Sequence, residues 1–173
     1  VNCIFQGSKL FIGTTGAVNY FEGKTLRRID LGEALDEVRI LDIAEAENGD
    51  LYFATGGKGV VKLNIQGISF YNLESGLPDD YVRSIAFDNN GSLWIGTRNG
   101  LVFLDPDQNI ITSPDPEVPL ISVSQIRISG SGQIIVTTFG NGVLIFEDNN
   151  FLNLTEEEGL ISNSIRGSVE LAS

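Results

Sequence analysis

The sequence contains no histidine, a single cysteine and no long apolar run. Without histidine it lacks the side chain that most often serves as a general base, a metal ligand or a member of a nucleophilic triad. Cys3 cannot form an internal disulfide and predicts no cysteine-based metal cluster, and its apolar surroundings in the sequence favour a buried thiol. Because no stretch of about 18 apolar residues is present, we expect no segment to span a bilayer.

Basic residues are also scarce. The 173 residues include 11 Lys and Arg against 23 Asp and Glu, which gives a formal net charge of −12. This balance argues against nucleic-acid partners, whose phosphates must be neutralised by Lys and Arg, and against anionic membranes. The first residue is not Met, no signal peptide is recognisable, and both ends lie in apolar stretches. We therefore expect a piece of a longer chain or a processed product.

What the chain does contain is a repeated pattern, clearest in residues 88–105. A turn at residues 89–91 leads into an apolar run, and a second turn at residues 98–100 leads into another, as in strands joined by tight turns. These runs do not alternate with polar residues, so both faces of the predicted sheet should be covered. Gly96, inside the first run, is expected to leave room for a neighbouring backbone.

The repeat has a regular period. Thr97 ends the first of these strands, and its counterparts Thr14, Thr55 and Thr138 stand at spacings of 41, 42 and 41 residues. An apolar stretch precedes each threonine, and a turn glycine follows it. A period near 42 residues with about four strands per period is typical of a β-propeller blade. We find no convincing helix: residues 33–43 have helical spacing in places but also suit a strand.

We therefore predict an all-β chain, a single β-propeller segment of four-stranded antiparallel blades, with four full repeats and one further strand. Three ways of completing the ring are open, of which the first two are preferred: further blades of a longer chain, a second copy that makes an eight-bladed ring, or pairing of the last strand with the first blade. An open stack would expose more than about 400 Å² of apolar surface at each end. The predicted blades cover residues 1–37, 38–80, 81–120 and 121–163, and residues 164–173 begin a fifth.

Strand parity predicts which parts of the chain meet. Successive antiparallel strands end on opposite sides, so the turn after each blade's second strand shares a face with the connectors between blades. The connectors are residues 32–37, 74–80, 114–120 and 156–163, and they carry 11 of the 23 acids and no Lys or Arg. Such a face would attract cationic partners and repel polyanions, although a solvated surface that maintains solubility is the simpler interpretation. The acids are Glu33, Asp36, Glu37, Glu74, Asp79, Asp80, Asp115, Glu117, Glu156, Glu157 and Glu158.

Candidate ligand-binding residues are assigned to this connector face. Arg39 and Arg83 are taken to share one position near the start of a first strand, with Arg166 as a further copy; they could bind a ligand carboxylate or sugar hydroxyl, or pair with the acids above them. Aromatic rings can pack on the C–H face of a sugar, whereas Trp94 is expected in the core. The remaining candidates are Tyr81, Phe139, Arg98, Lys58, Asn99 and Asn141, the two asparagines being explained equally well by turn formation.

No catalytic or metal site is expected. Asp79 and Asp80 are adjacent, and adjacent side chains in a strand or loop point apart. Residues 88–91 look like the start of a calcium loop but lack its later ligands, which favours a hairpin turn. The glycines follow no phosphate-binding pattern. We therefore expect no cofactor, no metal and no enzymatic activity.

Three stretches carry a family resemblance. YNLESGLPDDYVRSIAFD and GSLWIGTRNGL, in residues 71–101, closely resemble the two-component regulator propeller repeat, and GLISNSI at residues 159–165 resembles its connector. The likeness is fair at residues 7–16 and weak at residues 114–120, where prolines replace the usual Gly-Leu. The resemblance implies seven-bladed rings, often two in tandem. It also implies the extracytoplasmic sensor of a hybrid two-component protein, many of which detect glycan fragments; the membrane and kinase parts are not in this sequence.

The resemblance thus implies a non-catalytic, ligand-sensing propeller, located in the periplasm or outside the cell, that serves as the input module of a two-component signalling protein. The acidic connectors favour a neutral oligosaccharide or another small molecule as ligand. Expected partners also include a second copy or the remaining blades of a larger chain, but no nucleic acid and no membrane. The alternative function is a scaffold whose acidic face docks a basic protein. A lyase or hydrolase is disfavoured, because streptogramin-lyase-like propellers use histidine.

Overall fold

The computed structural model describes residues 1–105, 110–115, 118, 120–147 and 150–168. Within them the chain forms four antiparallel sheets, each of four strands in chain order. The predicted all-β class with four-stranded antiparallel blades is confirmed. Blade one contains β1 (Cys3–Gln6), β2 (Leu10–Gly13), β3 (Val18–Glu22) and β4 (Thr25–Ile29). Blade two contains β5 (Ile40–Glu45), β6 (Leu51–Thr55), β7 (Val60–Asn64) and β8 (Gly67–Tyr71).

Blades three and four repeat this order. Blade three contains β9 (Val82–Phe87), β10 (Leu93–Thr97), β11 (Gly100–Asp105) and β12 (Ile110–Thr112). Blade four contains β13 (Val123–Ile128), β14 (Ile134–Thr138), β15 (Val143–Glu147) and β16 (Asn150–Leu154). The predicted start of the twelfth strand at Asn109 lies outside the described residues.

The described parts of the connectors contain two single 3₁₀ turns, Glu33–Leu35 and Leu73–Ser75. The apolar residues at positions 68–73 predict a strand as far as Leu73, but β8 ends at Tyr71. The reason is the side chain of Asn72, which accepts hydrogen bonds from the N–H groups of Glu74 and Ser75 at 3.0 and 3.3 Å. Such local side-chain bonds cap a turn and compete with strand pairing.

Three apolar cores lie between successive blades, not within one central cluster. The core between blades three and four contains Trp94, which is 7% exposed and packs against Phe103 and Phe146. The predicted core position of Trp94 is therefore confirmed. Its Nε1 donates to Asp88 Oδ2 at 2.9 Å, while Asp88 Oδ1 accepts the N–H groups of the following turn. Residues 88–91 thus form the hairpin turn that the sequence favoured.

Close packing between blades depends on small residues in the second strands. A Cβ atom at Gly96 would overlap the side chain of Val123, at the start of β13, and a Cβ atom at Gly13 would overlap Ile40, at the start of β5. The sequence predicted that Gly96 admits a neighbouring backbone; it admits a side chain of the next blade instead. Each of these glycines sets how closely one blade stacks on its neighbour.

First strands of neighbouring blades are linked by polar side chains. Asp42 Oδ2, in β5, accepts hydrogen bonds from Ser84 Oγ at 2.7 Å and from the Ile85 N–H at 3.0 Å, both in β9. Ser84 Oγ in turn accepts the N–H of Ile126, in β13, at 3.0 Å. Burial raises the pKa of the Asp42 carboxyl, although the bonds from Ser84 and Ile85 oppose this. These bonds link three blades along the inner edge of the sheets.

Cys3 occupies in blade one the position that Asp42 occupies in blade two, since it pairs with Gly13 as Asp42 pairs with Ala54. It is half-buried, where the sequence favoured a buried thiol. Burial, with a smaller contribution from the charge of Asp42, raises the pKa of the Cys3 thiol to about 12. The thiol therefore stays protonated and unreactive near neutral pH.

Both ends of the stack have the form of blade interfaces. Ile4, in β1, is 66% exposed, whereas Ile43, one blade on, is 1% exposed because it packs on blade one. At the other end, the Ile165 N–H donates to Thr138 O at 2.8 Å, as the Ile40 N–H donates to Thr14 O between blades one and two.

The predicted fifth-blade strand is therefore placed like a first strand, although the described part of it forms only an isolated bridge, from Ser164 to Phe139. Ser168 also bonds to blade four, through Gln125 Oε1 at 2.9 Å. Residues 169–171 of the predicted strand lie outside the described residues.

The recurring threonine closes the turn after each second strand. Thr97 is fully buried; its Oγ1 donates to Gly100 O at 2.9 Å and accepts the Asn99 N–H at 3.1 Å. Thr55 and Thr138 make the same pair of bonds in blades two and four. The sequence showed the repeat but not its cause, which is that a buried threonine hydroxyl bonds to two backbone groups of the turn that follows it.

Thr97→Val should therefore lower the free energy of unfolding by about 1–3 kcal/mol, because the substitution keeps the shape of the buried side chain but removes its hydrogen bonds to Gly100 O and from the Asn99 N–H. Urea unfolding would measure the change. Thr14→Val is the matched control: Thr14 is only half-buried and donates to Ala17 O at 3.0 Å, so water can replace its hydroxyl and the cost should be smaller. Equal costs at the two positions would contradict this explanation.

Candidate ligand-binding site on the connector face

The turns after second strands lie against the connectors, as strand parity predicted. The turn glycine of a blade donates its N–H to the last connector residue before the next blade, at 2.8 Å in each case. The pairs are Gly16 with Val38 O, Gly59 with Asp80 O, and Gly142 with Asn163 O. One face of the stack therefore gathers the connectors, the second-strand turns and the starts of the first strands.

The acids of the connectors do not form one uniform rim. Seven are exposed, Asp80 and Asp115 are half-buried, and Asp79 is 7% exposed; Glu117 lies outside the described residues. The exposed ones are Glu33, Asp36, Glu37, Glu74, Glu156, Glu157 and Glu158.

Asp79 accepts hydrogen bonds from three residues at the centre of the site. Its Oδ1 accepts the Tyr81 N–H at 2.7 Å, and its Oδ2 accepts Arg98 Nε at 3.1 Å and Asn99 Nδ2 at 2.7 Å. Asp80 points elsewhere and accepts the Leu73 N–H at 2.8 Å. The prediction that the adjacent carboxylates point apart is confirmed. Asp79 thus ties the start of β9 to the turn after β10.

Three arginines surround Tyr81. Arg39 Nη2 donates to the Tyr81 hydroxyl at 3.0 Å, and the guanidinium carbons of Arg83 and Arg98 lie 5.4 and 5.9 Å from the centre of its ring. These distances are typical of cation–π contacts. The cluster draws its residues from blades two and three.

Arg83 extends the cluster to blade four. Its guanidinium carbon lies 4.9 Å from the centre of the Phe139 ring, which is 40% exposed. Its Nη1 donates to Ser122 Oγ at 2.8 Å and to Val123 O at 3.1 Å. Two rings and two hydrogen bonds therefore hold this guanidinium in place.

A cavity of about 420 Å³ opens beside the cluster. Its wall includes Asp79, Tyr81, Arg98 and Asn99, together with Leu73 and Pro78 of the connector. Donors from arginine and asparagine, an aromatic ring and an apolar wall thus face one space. This combination can bind a polar ligand that also has apolar faces.

Six of the eight predicted site residues belong to this cluster: Arg39, Tyr81, Arg83, Arg98, Asn99 and Phe139. Lys58 and Asn141 lie on the same face but serve their turns, since their N–H groups bond to Thr55 and Thr138. Arg166 is exposed on the segment after blade four.

The proposed equivalence of Arg39 and Arg83 is wrong. Ile40 pairs with Thr55 as Val82 pairs with Thr97, so Arg39 corresponds in position to Tyr81, and Arg83 lies two residues further along its strand. The expected pairing of Arg39 and Arg83 with connector acids is not found, since neither forms an ion pair among the described residues. Arg98, for which no such pairing was expected, binds Asp79.

Sequence reasoning also did not predict that Asp79 connects residues of the site by hydrogen bonds. The signal available was its position two residues before Tyr81, at which an aspartate often accepts a backbone N–H. Ser122, which binds Arg83, carried no signal in the sequence.

Residues 76–99, which include most of this cluster, match the family model described as two component regulator propeller. The resemblance recognised in the sequence is thereby confirmed for this repeat. No curated protein matches the chain. No described helix has the length and apolar character needed to cross a membrane.

Solved propellers share the fold. The extracellular domain of the hybrid two component system BT3049 from B. thetaiotaomicron is 25% identical with a TM-score of 0.78, over 92% of this chain and 23% of that one. That of BT4673 from the same organism is 26% identical with a TM-score of 0.69, over 88% and 21%. Virginiamycin B lyase from Staphylococcus aureus is 15% identical with a TM-score of 0.69, over 87% and 53%, a likeness of fold alone.

The chain thus has the propeller structure found in extracellular sensor domains, and it spans less than a quarter of the length of the two sensor domains compared here.

Proposed function

We propose that this chain is part of a non-catalytic, ligand-sensing propeller, the input module of a two-component signalling protein in the periplasm or outside the cell. We propose further that its connector face binds an oligosaccharide. The observation that carries the proposal is the cluster around Tyr81, where an exposed Phe139 ring, fixed arginine donors and a cavity of about 420 Å³ meet on one face. The match of residues 76–99 and the likeness to extracellular domains of two-component systems support the assignment to a sensor.

The chemistry of the cluster suits binding better than catalysis. Asp79, its buried carboxylate, accepts three hydrogen bonds and points away from Asp80, so the pair cannot act together on a glycosidic bond. The sequence contains no histidine that could serve as a base. Rings and hydrogen-bond donors remain, and these are the groups that orient a sugar without reacting with it.

Phe139→Ala should weaken oligosaccharide binding about tenfold, the effect of losing about 1.4 kcal/mol of ring contact. A panel of oligosaccharides, screened by the rise in melting temperature that binding causes, would supply the ligand. Calorimetry would then compare the two proteins. Phe70→Ala is the matched control, since Phe70 is similarly exposed, at 38% against 40%, but lies in the outer strand β8. Equal losses in both variants, or no binding across the panel, would contradict the proposal.

A second candidate function is docking of a basic protein on the same face, favoured by the seven exposed acids of the connectors. Titration with oligolysine, a basic probe, at low and at 1 M salt tests this candidate separately from the panel. Exposed ion pairs are screened within about 3 Å at 1 M salt, so docking on the acids should be lost there. Oligolysine binding that is lost at 1 M salt, together with no binding across the oligosaccharide panel, would support the docking function.

A further inference from the structure

We propose that the cluster around Tyr81 recognises a carboxylate, so that the bound oligosaccharide carries a uronate residue. The inference that the ligand is a sugar rests on the proposed function. The inference that it carries a negative charge rests on the arginines. The composition of the whole connector face favoured a neutral sugar, but the local arrangement of charge around the Tyr81 ring points to an anionic group.

The local charge is the first argument. Three guanidinium groups contact Tyr81, and two carboxylates, Asp79 and Asp80, line the adjoining cavity. Both carboxylates already accept backbone N–H groups. A protein with a net charge of −12 therefore holds an excess of positive charge at this one place. An incoming anion would relieve the repulsion among the arginines.

The free donors are the second argument. Arg39 has no carboxylate partner among the described residues, and one described hydrogen bond, from Nη2 to Tyr81, leaves its other donors to the ligand. Arg83 uses Nη1 for Ser122 and Val123, which leaves Nε and Nη2. Because the Tyr81 hydroxyl accepts from Arg39, its own proton can be donated to a carboxylate oxygen. A planar carboxylate matches the paired donors of a guanidinium.

The rigidity of Arg83 is the third argument. Its guanidinium is held between hydrogen bonds to blade four and contacts with the rings of Tyr81 and Phe139. A donor that is already ordered loses little freedom when a ligand binds. The same aromatic rings would contact the sugar that bears the carboxylate. One site would therefore bind both the sugar ring and its charged group.

The surrounding acids limit the ligand to a low charge. Glu74 and the other exposed connector acids would repel a chain with a carboxylate or sulfate on every sugar. The expected ligand is therefore a mostly neutral oligosaccharide with a single uronate placed against the arginines.

The test compares D-galacturonate with D-galactose, which has the same ring without the carboxylate. Both are titrated to ~50 mM, in the range of weak monosaccharide affinities, into the whole chain with ¹⁵N-labelled arginine, and the Nε–H signals are followed. We expect galacturonate to shift the Arg39 and Arg83 signals and to bind at least tenfold more tightly than galactose. R39Q and R83Q should each remove this preference.

R27Q is the control variant, since Arg27 is an exposed arginine that pairs with Glu22 and lies in β4, the outer strand of blade one, whereas the cluster comes from blades two to four. It should leave the preference unchanged. The titration of the unmodified protein decides the matter even if a variant unfolds. Equal affinity for the two sugars, or no shift at Arg39 and Arg83 with galacturonate, would overturn the carboxylate site. Failure of the oligosaccharide panel with the galacturonate preference intact would instead remove the proposed function and leave the site.

Discussion

Gly59→Ala should lower the free energy of unfolding by about 3–5 kcal/mol, the largest effect we expect from a single methyl group in this chain. Gly59 has φ = +71°, which costs any other residue about 1–2 kcal/mol. Its Cβ would also overlap the backbone carbonyl of Tyr71, which cannot move without breaking the pairing of β7 with β8. The N–H of Gly59 holds the connector through Asp80 O, so the damage would extend to the next blade.

Gly142 provides an internal replicate of this experiment. It has φ = +73°, its Cβ would overlap the carbonyl of Leu154, and its N–H bonds to Asn163 O. Gly142→Ala should therefore cost about as much as Gly59→Ala. Gly49 is the matched control, because it has φ = +85° but nothing within 4 Å of the added Cβ. Gly49→Ala should cost only about 1–2 kcal/mol, the price of the backbone conformation alone. Urea unfolding of the three variants would give the differences, and similar costs at all three positions would show that the contact with the neighbouring strand is unimportant.

These glycines illustrate what the sequence could predict. Turn glycines and threonines recur at a fixed period because the same kind of tight turn follows the second strand of every blade. The period therefore identified four blades and all four strands in each. The apolar run in residues 93–96 likewise predicted a strand covered on both faces, and β10 is buried along its whole length.

The arrangement of the site could not be predicted to the same precision. To decide whether Arg39 and Arg83 occupy equivalent positions in their blades, one must know the residue at which each first strand begins. Val38 looks like a strand residue, although its carbonyl accepts the Gly16 N–H instead. Strands β5 and β9 also contain irregularities in pairing near their starts. A shift of this kind changes which side chains meet, and local sequence does not record it.

The contacts of polar residues inside mostly apolar strands could not be predicted either. Asp42 and Ser84 are 42 residues apart in the sequence, and Asp42 Oδ2 in blade two accepts a hydrogen bond from Ser84 Oγ in blade three at 2.7 Å. Each taken alone is a polar residue in a mostly apolar strand, and their contact depends on how the blades stack. Asp79 is a similar case, since its partners Arg98 and Asn99 belong to a turn 19 and 20 residues further along.

Asp79→Ala should lower the free energy of unfolding by about 2–4 kcal/mol, because three donors lose a buried acceptor at once. Of these, the Tyr81 N–H accounts for most of the cost, since Asn99 and the side chain of Arg98, which is 58% exposed, can return to water. Asp79→Asn should be intermediate. Asparagine has one carbonyl oxygen, so it can accept either from Tyr81 or from Arg98 and Asn99, but not from all three as the carboxylate does.

Asp80→Ala is the matched control for this substitution. Asp80 is the neighbouring carboxylate and accepts only one described hydrogen bond, from the Leu73 N–H, so its loss should cost about 1 kcal/mol. Thermal and urea unfolding would measure stability, and the Arg98 Nε–H signal in ¹⁵N spectra would report the local geometry. If Asp79 organises the cluster, Asp79→Ala should move this signal to the position of a solvated arginine, whereas Asp80→Ala should leave it in place. An unchanged signal in Asp79→Ala would mean that the ring of Tyr81 fixes Arg98 without help from the carboxylate.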